Sequence, residues 1–291
     1  MTLEPLITII VAVYNGAKTL QRCVDSVSDQ TYLNKELIII DGGSKDGTID
    51  ILMANNDKIT YWQSEPDSGI YNAWNKALGH ANGDWIYFLG SDDYLWKSNV
   101  FEEIIPHMIR AESKGMRMVY GQVARVTEED EICCVDGSPW EYTWRGIIID
   151  GICTFEHQGM FHHRSFFELN GNFDESFKIA GDYELLIRVF KKGGDALFID
   201  GLIVAGMQTG GVTTKSTKLV KEAARARRKN RLRVITVPWL ISYVWAIWYP
   251  FLNYVTGDKG SRYLVHLGKC LVMSLSYRKK TIFERKNNNN R

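Results

Sequence analysis

Four short apolar runs, separated by stretches of helical periodicity, set the fold class of this chain. Leu6-Ile7-Thr8-Ile9-Ile10-Val11-Ala12-Val13 precedes an amphipathic stretch with Leu20, Cys23, Val24 and Val27 on one face. Glu36-Leu37-Ile38-Ile39-Ile40 runs into Asp41-Gly42-Gly43-Ser44-Lys45-Asp46-Gly47-Thr48, where the glycines allow tight turns and a helix can begin. Ile59-Thr60-Tyr61-Trp62 is a third strand, the spacing predicts a helix over Ile70 to Ala81, and Asp84-Trp85-Ile86-Tyr87-Phe88-Leu89 is a fourth strand. Strands apolar on both faces and separated by helices indicate an α/β fold, a mostly parallel sheet covered on two sides.

Ligands of such sheets bind at the carboxyl ends of the strands. Those ends are Val13-Tyr14-Asn15-Gly16, Asp41-Gly42-Gly43, Ser64-Glu65-Pro66-Asp67-Ser68-Gly69 and Gly90-Ser91-Asp92-Asp93. All four are polar and turn-forming, and three carry acids. Acids gathered on one rim repel unless a cation or hydrogen-bond donors compensate them, which points to a divalent metal. Beyond Asp93 the pattern loosens into a helix near Ser98 to Glu112, strands near Met116 to Arg125 and Glu131 to Val135, and a helix near Asp182 to Lys192.

The 291 residues are 45% apolar and 12% aromatic, enough to fill a core, so disordered and fibrous classes are excluded. The formal charge of +1 conceals two electrostatic objects. Residues 1–214 hold 17 basic and 31 acidic side chains, whereas residues 215–291 hold 18 basic and 3 acidic. An acidic body with a basic tail directs the tail to an anionic surface. The five cysteines are odd in number and lack C-x-x-C spacing, which reads as a reducing, cytosolic compartment with the thiols acting as small core hydrophobes. The apolar N-terminal run follows Glu4 and lacks a basic leader, so it reads as a buried strand and not a signal peptide.

The glycine-rich turns fit neither the phosphate-binding-loop register nor G-x-G-x-x-G, so no ATPase or dinucleotide oxidoreductase is supported. Taken together, Val11-Ala12-Val13-Tyr14-Asn15, the Asp41 to Thr48 segment, Ser64 to Lys76 and Leu89-Gly90-Ser91-Asp92-Asp93 resemble, in order and spacing, the family two inverting glycosyltransferases, whose fold is called GT-A. The resemblance covers roughly residues 5 to 212. It implies that Asp41 hydrogen-bonds the uracil of a UDP-sugar, that Ala12, Val13 and Tyr14 frame the base, and that Asp67 and Lys76 belong to the donor-binding residues. Ser91-Asp92-Asp93 looks like the family's D-x-D-type motif, with Asp93 the ligand of Mg2+ or Mn2+ and Asp92 nearer the ribose. The alternative for this pair is a cap on the following helix.

Transfer with inversion needs a base for the acceptor hydroxyl. Phe173-Asp174-Glu175-Ser176-Phe177-Lys178-Ile179-Ala180-Gly181-Asp182 resembles the family segment that carries it, which assigns Asp182, with Glu184 in reserve. Many members have Glu-Asp where this chain has Gly181-Asp182. An acid placed as an N-cap would have a lowered pKa, compatible with a base that is ionised at neutral pH. The resemblance also places His157, with Gln158, in a turn that shapes the donor-sugar or acceptor pocket. In the family it resembles, many members place a metal-binding His after the base helix. Here Met207-Gln208-Thr209-Gly210-Gly211-Val212 has none, which leaves the metal to Asp93 and the diphosphate, with Gly210-Gly211 offering N–H groups to phosphate.

In the tail, 24 uncharged residues lie between Arg233 and Asp258, long enough to span a bilayer but interrupted by Pro238 and Pro250 and rich in Trp and Tyr. Basic clusters flank this run and a second one, Tyr263 to Tyr277, on both outer sides. A shallow interfacial pair or a re-entrant hairpin keeps both clusters on the cytosolic face, whereas a soluble helical subdomain is the alternative. The expectation is a catalytic domain over 1–214 and a helical, membrane-associating region over 215–291. It acts as a metal-dependent transferase, peripheral or monotopic on the inner face of the membrane, with a saccharide or lipid-linked acceptor. A glycoside hydrolase using Asp93 and Asp182 is the competing enzyme reading, and a non-catalytic nucleic-acid- or membrane-binding protein the competing non-enzyme one; the aromatic run after the arginines favours lipid over nucleic acid.

Overall fold

The computed structural model describes residues 4–127, 130–151, 156–208 and 217–241, together with 243, 244, 247 and 248. The first half follows the expected alternation of β1 (Ile7–Val13), α1 (Leu20–Ser28), β2 (Lys35–Asp41), α2 (Thr48–Ala54), β3 (Tyr61–Ser64), α3 (Ile70–Leu78) and β4 (Trp85–Gly90). β1 lies between β2 and β4 and is parallel to both, with β3 parallel beyond β2. The chain therefore builds outward from β1 on one side and then crosses back to the other. A crevice opens at such a switch, outside the carboxyl ends of β1 and β4.

Side chains of β1 alternate between two core layers, as the period of a strand requires. Ile7, Ile9, Val11 and Val13 join the layer that also takes Leu20, Cys23, Val24 and Val27 of α1, whereas Ile10 joins Tyr71, Ala73, Trp74 and Ala77 of α3 on the other face. Each fully buried aliphatic side chain of this kind contributes about 1.5–3 kcal/mol relative to exposure. Several such residues on each face fix the register and thus the height of the strand ends.

The second half contains β5 (Tyr94–Leu95), α4 (Val100–Ser113), β6 (Met118–Val126), β7 (Ile132–Asp136), α5 (Trp140–Arg145), β8 (Met160–His163), α6 (Ser165–Asn170), α7 (Gly181–Phe190), β9 (Leu197–Gln208) and α8 (Thr217–Lys229). A π turn over 146–150 continues α5, and a 3-10 turn over 157–159 leads into β8. Among the described residues the nine strands form one sheet in the order β3-β2-β1-β4-β8-β6-β9-β5, with β7 on β6. The sheet is mixed where a mostly parallel one was expected, because β8 enters antiparallel between β4 and β6. This places the carboxyl ends of β6 and β9 on the same rim as those of β1, β2 and β4.

Helix α8 packs on α7 and buries Ala224, Ala226 and Arg227. Beyond it residues 237–241 are helical, and Val237, Leu240, Val244, Ile247 and Trp248 are exposed. No helix among the described residues is long and apolar enough to cross a membrane. The Tyr263 to Tyr277 stretch, the second basic cluster and Gly210-Gly211 lie outside the described residues.

Candidate active site

The turn after β1 and the loop after β2 are laced together by polar contacts. Asn15, at a φ of 51°, donates its N–H to Ser44 Oγ at 2.7 Å and accepts from Lys45 N–H at 3.0 Å. Gly16 and Ala17 donate to Thr48 Oγ1 and Asp46 Oδ2 at 2.9 and 3.0 Å. Asp41 is fully buried at the root of this loop, where its Oδ2 accepts from Gly43 N–H, Ser44 N–H and Ser64 Oγ and its Oδ1 from Ser44 Oγ. As found here, Asp41 builds the loop. Oδ1 keeps one acceptor position for a further donor.

Above it Tyr14 is 68% exposed, with Ala12 half-buried and Val13 buried beneath. A Cβ on Gly42 would lie 2.9 Å from Asp67 Oδ2 and 3.3 Å from the Tyr14 ring, so glycine there lets the ring and the carboxylate close on the strand end. Asp67 Oδ1 accepts from Gly69 N–H at 2.8 Å. Lys76 instead turns to Glu65, 2.6 Å away, an ion pair that holds the Glu65 carboxyl below its usual range.

At the end of β4 the chain folds back, with Asp93 N–H donating to Gly90 O at 3.0 Å. A Cβ on Gly90 would meet Asp93 Oδ2 at 2.4 Å and Asp92 Oδ1 at 3.0 Å, so the bare glycine makes room for both carboxylates. Asp93 is only 3% exposed, and among the described residues no cation forms an ion pair with it. Its side chain accepts from Gln208 N–H, at 3.3 Å, and from the Gln158 side chain. Burial first, then the Asp92 charge, push the Asp93 carboxyl well above the usual carboxylate range. An acid buried beside another acid, with the neutral donors of Gln208 and Gln158 upon it, suits a hard divalent cation whose remaining ligands come from a diphosphate. Among the described residues no group of three His, Cys, Asp or Glu side chains converges to hold a metal unaided.

Asp182 is not an N-cap but lies in the first turn of α7, whose cap is Ala180. Its Oδ1 accepts from Tyr183 N–H at 2.7 Å and lies 3.1 Å from Tyr71 Oη. Burial outweighs these bonds, so its pKa is pushed up to about 6 where a lowered value was expected of a capping acid. Gly181 makes this packing possible, since a Cβ there would sit 2.7 Å from the Tyr71 ring. Glu184 is fully buried and bound to Arg188, Asn230 and Lys229, so it is a structural ion-pair residue.

The turn before β8 divides its two polar residues. His157 is 7% exposed, with its ring 5.2 Å from Trp74 and 5.3 Å from Phe88, and burial lowers its pKa to about 3. It is a neutral core ring, and the side chain from this turn that reaches the acidic rim is that of Gln158. Glu156, next to it, was not singled out from the sequence. It binds Arg125, which also binds Asp136, and it is close enough to Asp93 and Asp182 to push both carboxyls up. An acid interrupting the otherwise uncharged run from Gly151 to Met160 was the signal available.

Residues 8–132 match the family model for glycosyl transferase family 2. An uncharacterized glycosyltransferase of Mycobacterium tuberculosis is 32% identical over 189 residues, covering 65% of this chain and 70% of its own length. A PGL/p-HBAD biosynthesis glycosyltransferase of Mycobacterium bovis is 28% identical over 196 residues, covering 64% and 70%. Among solved structures, the Pyrobaculum calidifontis mannosyltransferase PcManGT in complex with GDP-Man and Mn2+ superposes with a TM-score of 0.61 at 17% identity, covering 97% of this chain and 84% of that one. S. aureus TarS 1-349 in complex with UDP-GlcNAc gives a TM-score of 0.59 at 14% identity, covering 94% and 92%. At these identities the structural likeness speaks for the fold.

Proposed function

The chain belongs to glycosyl transferase family 2, and on that premise we propose that it transfers a sugar, with inversion, from a nucleotide diphosphate to a hydroxyl of a saccharide or lipid-linked acceptor. The observation that carries this reading is a pair of carboxyls raised on one rim, buried Asp93 at the end of β4 and half-buried Asp182 in the first turn of α7, with Glu156 close enough to act on both. A UDP-sugar is the donor we favour. The exposed Tyr14 ring with Ala12 and Val13 offers a face for the base, and Asp41, through its remaining acceptor position, a partner for an imide N–H. The UDP-GlcNAc complex of TarS supports that choice by analogy.

In this scheme Asp93, with Asp92 beside it, would hold Mg2+ or Mn2+. Such an ion supplies charge that offsets the negative charge gathering on the leaving diphosphate. The acceptor oxygen forms its bond to the anomeric carbon as the bond to the diphosphate breaks, and its proton passes to an Asp182 carboxylate oxygen. A base with a pKa near 6 is mostly ionised at neutral pH yet binds a proton more readily than an ordinary carboxylate. Asp182 is thus suited by burial, and Tyr71 and Tyr183 N–H orient it. The test is donor turnover: the chain should release UDP from a UDP-sugar in the presence of Mn2+.

We also place the reaction at an anionic membrane surface on its cytosolic side. The exposed apolar residues Val237, Leu240, Val244, Ile247 and Trp248 recur at helical spacing, and Arg228, Arg231 and Arg233 beside them are exposed. Arg227 does not belong to that set, being fully buried. Replacing Arg228, Arg231 and Arg233 by Gln should weaken binding to phosphatidylserine-containing vesicles by roughly 1 kcal/mol per charge and reduce its salt sensitivity. Cosedimentation measures it, and unchanged binding would count against the membrane reading.

A further inference from the structure

The connection that delivers Asp182, residues 173–180, has no regular secondary structure, so its main-chain donors need partners from elsewhere. Helix α8 of the tail supplies them for Lys178, Ile179 and Ala180. Glu222 Oε2 accepts from Ile179 N–H at 2.8 Å and Ala180 N–H at 3.0 Å, and both its carboxylate oxygens lie 3.1 Å from Lys178 N. Around this clamp Lys229 Nζ lies 2.6 Å from Asp174 Oδ2, and Arg225 donates to Ser176 Oγ while its guanidinium covers the Phe177 ring at 3.8 Å. Buried Arg227 reaches Tyr183 Oη at 3.3 Å, Arg233 O at 2.7 Å and the carbonyls of Ile147 and Ile148.

From the opposite side α3 grips the same connection. Asn75 exchanges hydrogen bonds with the Phe173 backbone, and Asn72 and Asn75 both donate to Glu175. Tyr71 Oη lies 2.7 Å from Ile179 O and 3.1 Å from Asp182 Oδ1. Ile179 is therefore held at its N–H by Glu222 and at its carbonyl by the hydroxyl that touches Asp182. A carboxylate accepting several main-chain N–H bonds is among the stronger hydrogen-bonding arrangements in proteins, and it fixes its donors as firmly as they fix it.

We propose that Glu222 is a positioning residue for Asp182, so that α8, which the charge count assigns to the tail, couples the tail to the catalytic base. The inference rests on the reading of Asp182 as that base. It places residues 217–229 with the catalytic unit, although the charge boundary falls near 214. Truncation after Thr214 would then remove a part of the machinery along with the membrane-directed segment.

The experiment uses the full chain and compares wild type, Glu222→Ala, Glu222→Gln and Asp182→Asn in kcat, donor KM, UDP affinity and the pH dependence of kcat. Glu222→Ala is expected to lower kcat at least about tenfold, with UDP affinity within about twofold of wild type. The midpoint of its rise in kcat with pH should move down toward the ordinary carboxylate range, as Asp182 gains water. Glu222→Gln keeps a carbonyl acceptor of the same length and should recover part of both. A wild-type kcat and midpoint in Glu222→Ala would overturn the proposal, as would equal loss of UDP binding and turnover, which marks a general support of the fold. Should Glu222→Ala fail to fold, Glu222→Gln decides: an intermediate kcat with a shifted midpoint is expected, and wild-type values overturn the idea. If Asp182→Asn keeps its turnover, the base assignment itself has failed; if it loses turnover while Glu222→Ala does not, only the role of Glu222 falls.

Discussion

Asp182→Asn is expected to lower turnover by roughly 100- to 10,000-fold, the range a positioned general base contributes, while donor affinity stays within about twofold. The substitution is conservative in geometry. An asparagine Oδ1 can still accept from Tyr183 N–H and Tyr71 Oη, so the first turn of α7 should keep its shape. What it cannot do is take the acceptor's proton. The pH dependence carries a second check with a definite sign. Because the ionised form is the active one, kcat of the wild type should rise as pH increases through about 6. A group whose folded pKa is raised above 3.8 binds more protons folded than unfolded between those values, so its ionisation weakens the fold as pH rises across that window. The neutral amide escapes that cost, and the Tm of Asp182→Asn at neutral pH should not fall below wild type. Turnover within a few-fold of wild type would remove Asp182 from the reaction.

Asp93→Asn is expected to lower the affinity for UDP measured with Mn2+ at least about tenfold, near 1.4 kcal/mol, while the metal-independent part of UDP binding persists. The amide retains an oxygen for Gln208 N–H but cannot supply the charge that the cation requires. Replacing the buried acid should at the same time stabilise the apo protein at neutral pH, since a carboxyl raised from 3.8 to about 8 in the fold loses stability progressively as pH rises between those values. Calorimetry with and without Mn2+ separates the two effects. Undiminished metal-dependent affinity would move the ion elsewhere on the rim.

The strand ends were legible because they follow from local pattern alone. β1, β2 and β4 are apolar runs ended by turn residues, and a parallel arrangement puts Tyr14, Asp41 and Asp93 at one edge whatever the rest of the chain does. β9 was not legible. Asp200-Gly201 interrupts its 12 residues, and its pairing with β6 is a contact between distant parts of the chain that no local pattern encodes. The place of Asp182 at the start of α7 was legible but its environment was not, because the burial that raises its pKa and the Tyr71 ring packed against Gly181 come from distant parts of the chain. His157 shows the converse. Its sequence neighbourhood pointed to the pocket, yet the rings of Trp74 and Phe88 claim it for the core. Arg227 and Glu222 were read as tail residues from charge counting, which is blind to the direction in which a helix presents each side chain.

The central claim, inverting transfer from a nucleotide sugar at the carboxyl rim, is tested most directly by the anomeric configuration of the sugar released when water takes the acceptor's place. Proton NMR of the full chain with an α-linked UDP-sugar and Mn2+ should show the β-anomer appearing first, in step with UDP, and both products forming at least about 100-fold more slowly with Asp182→Asn. Initial release of the α-anomer, or no release of UDP from any of a panel of UDP-sugars, would contradict it.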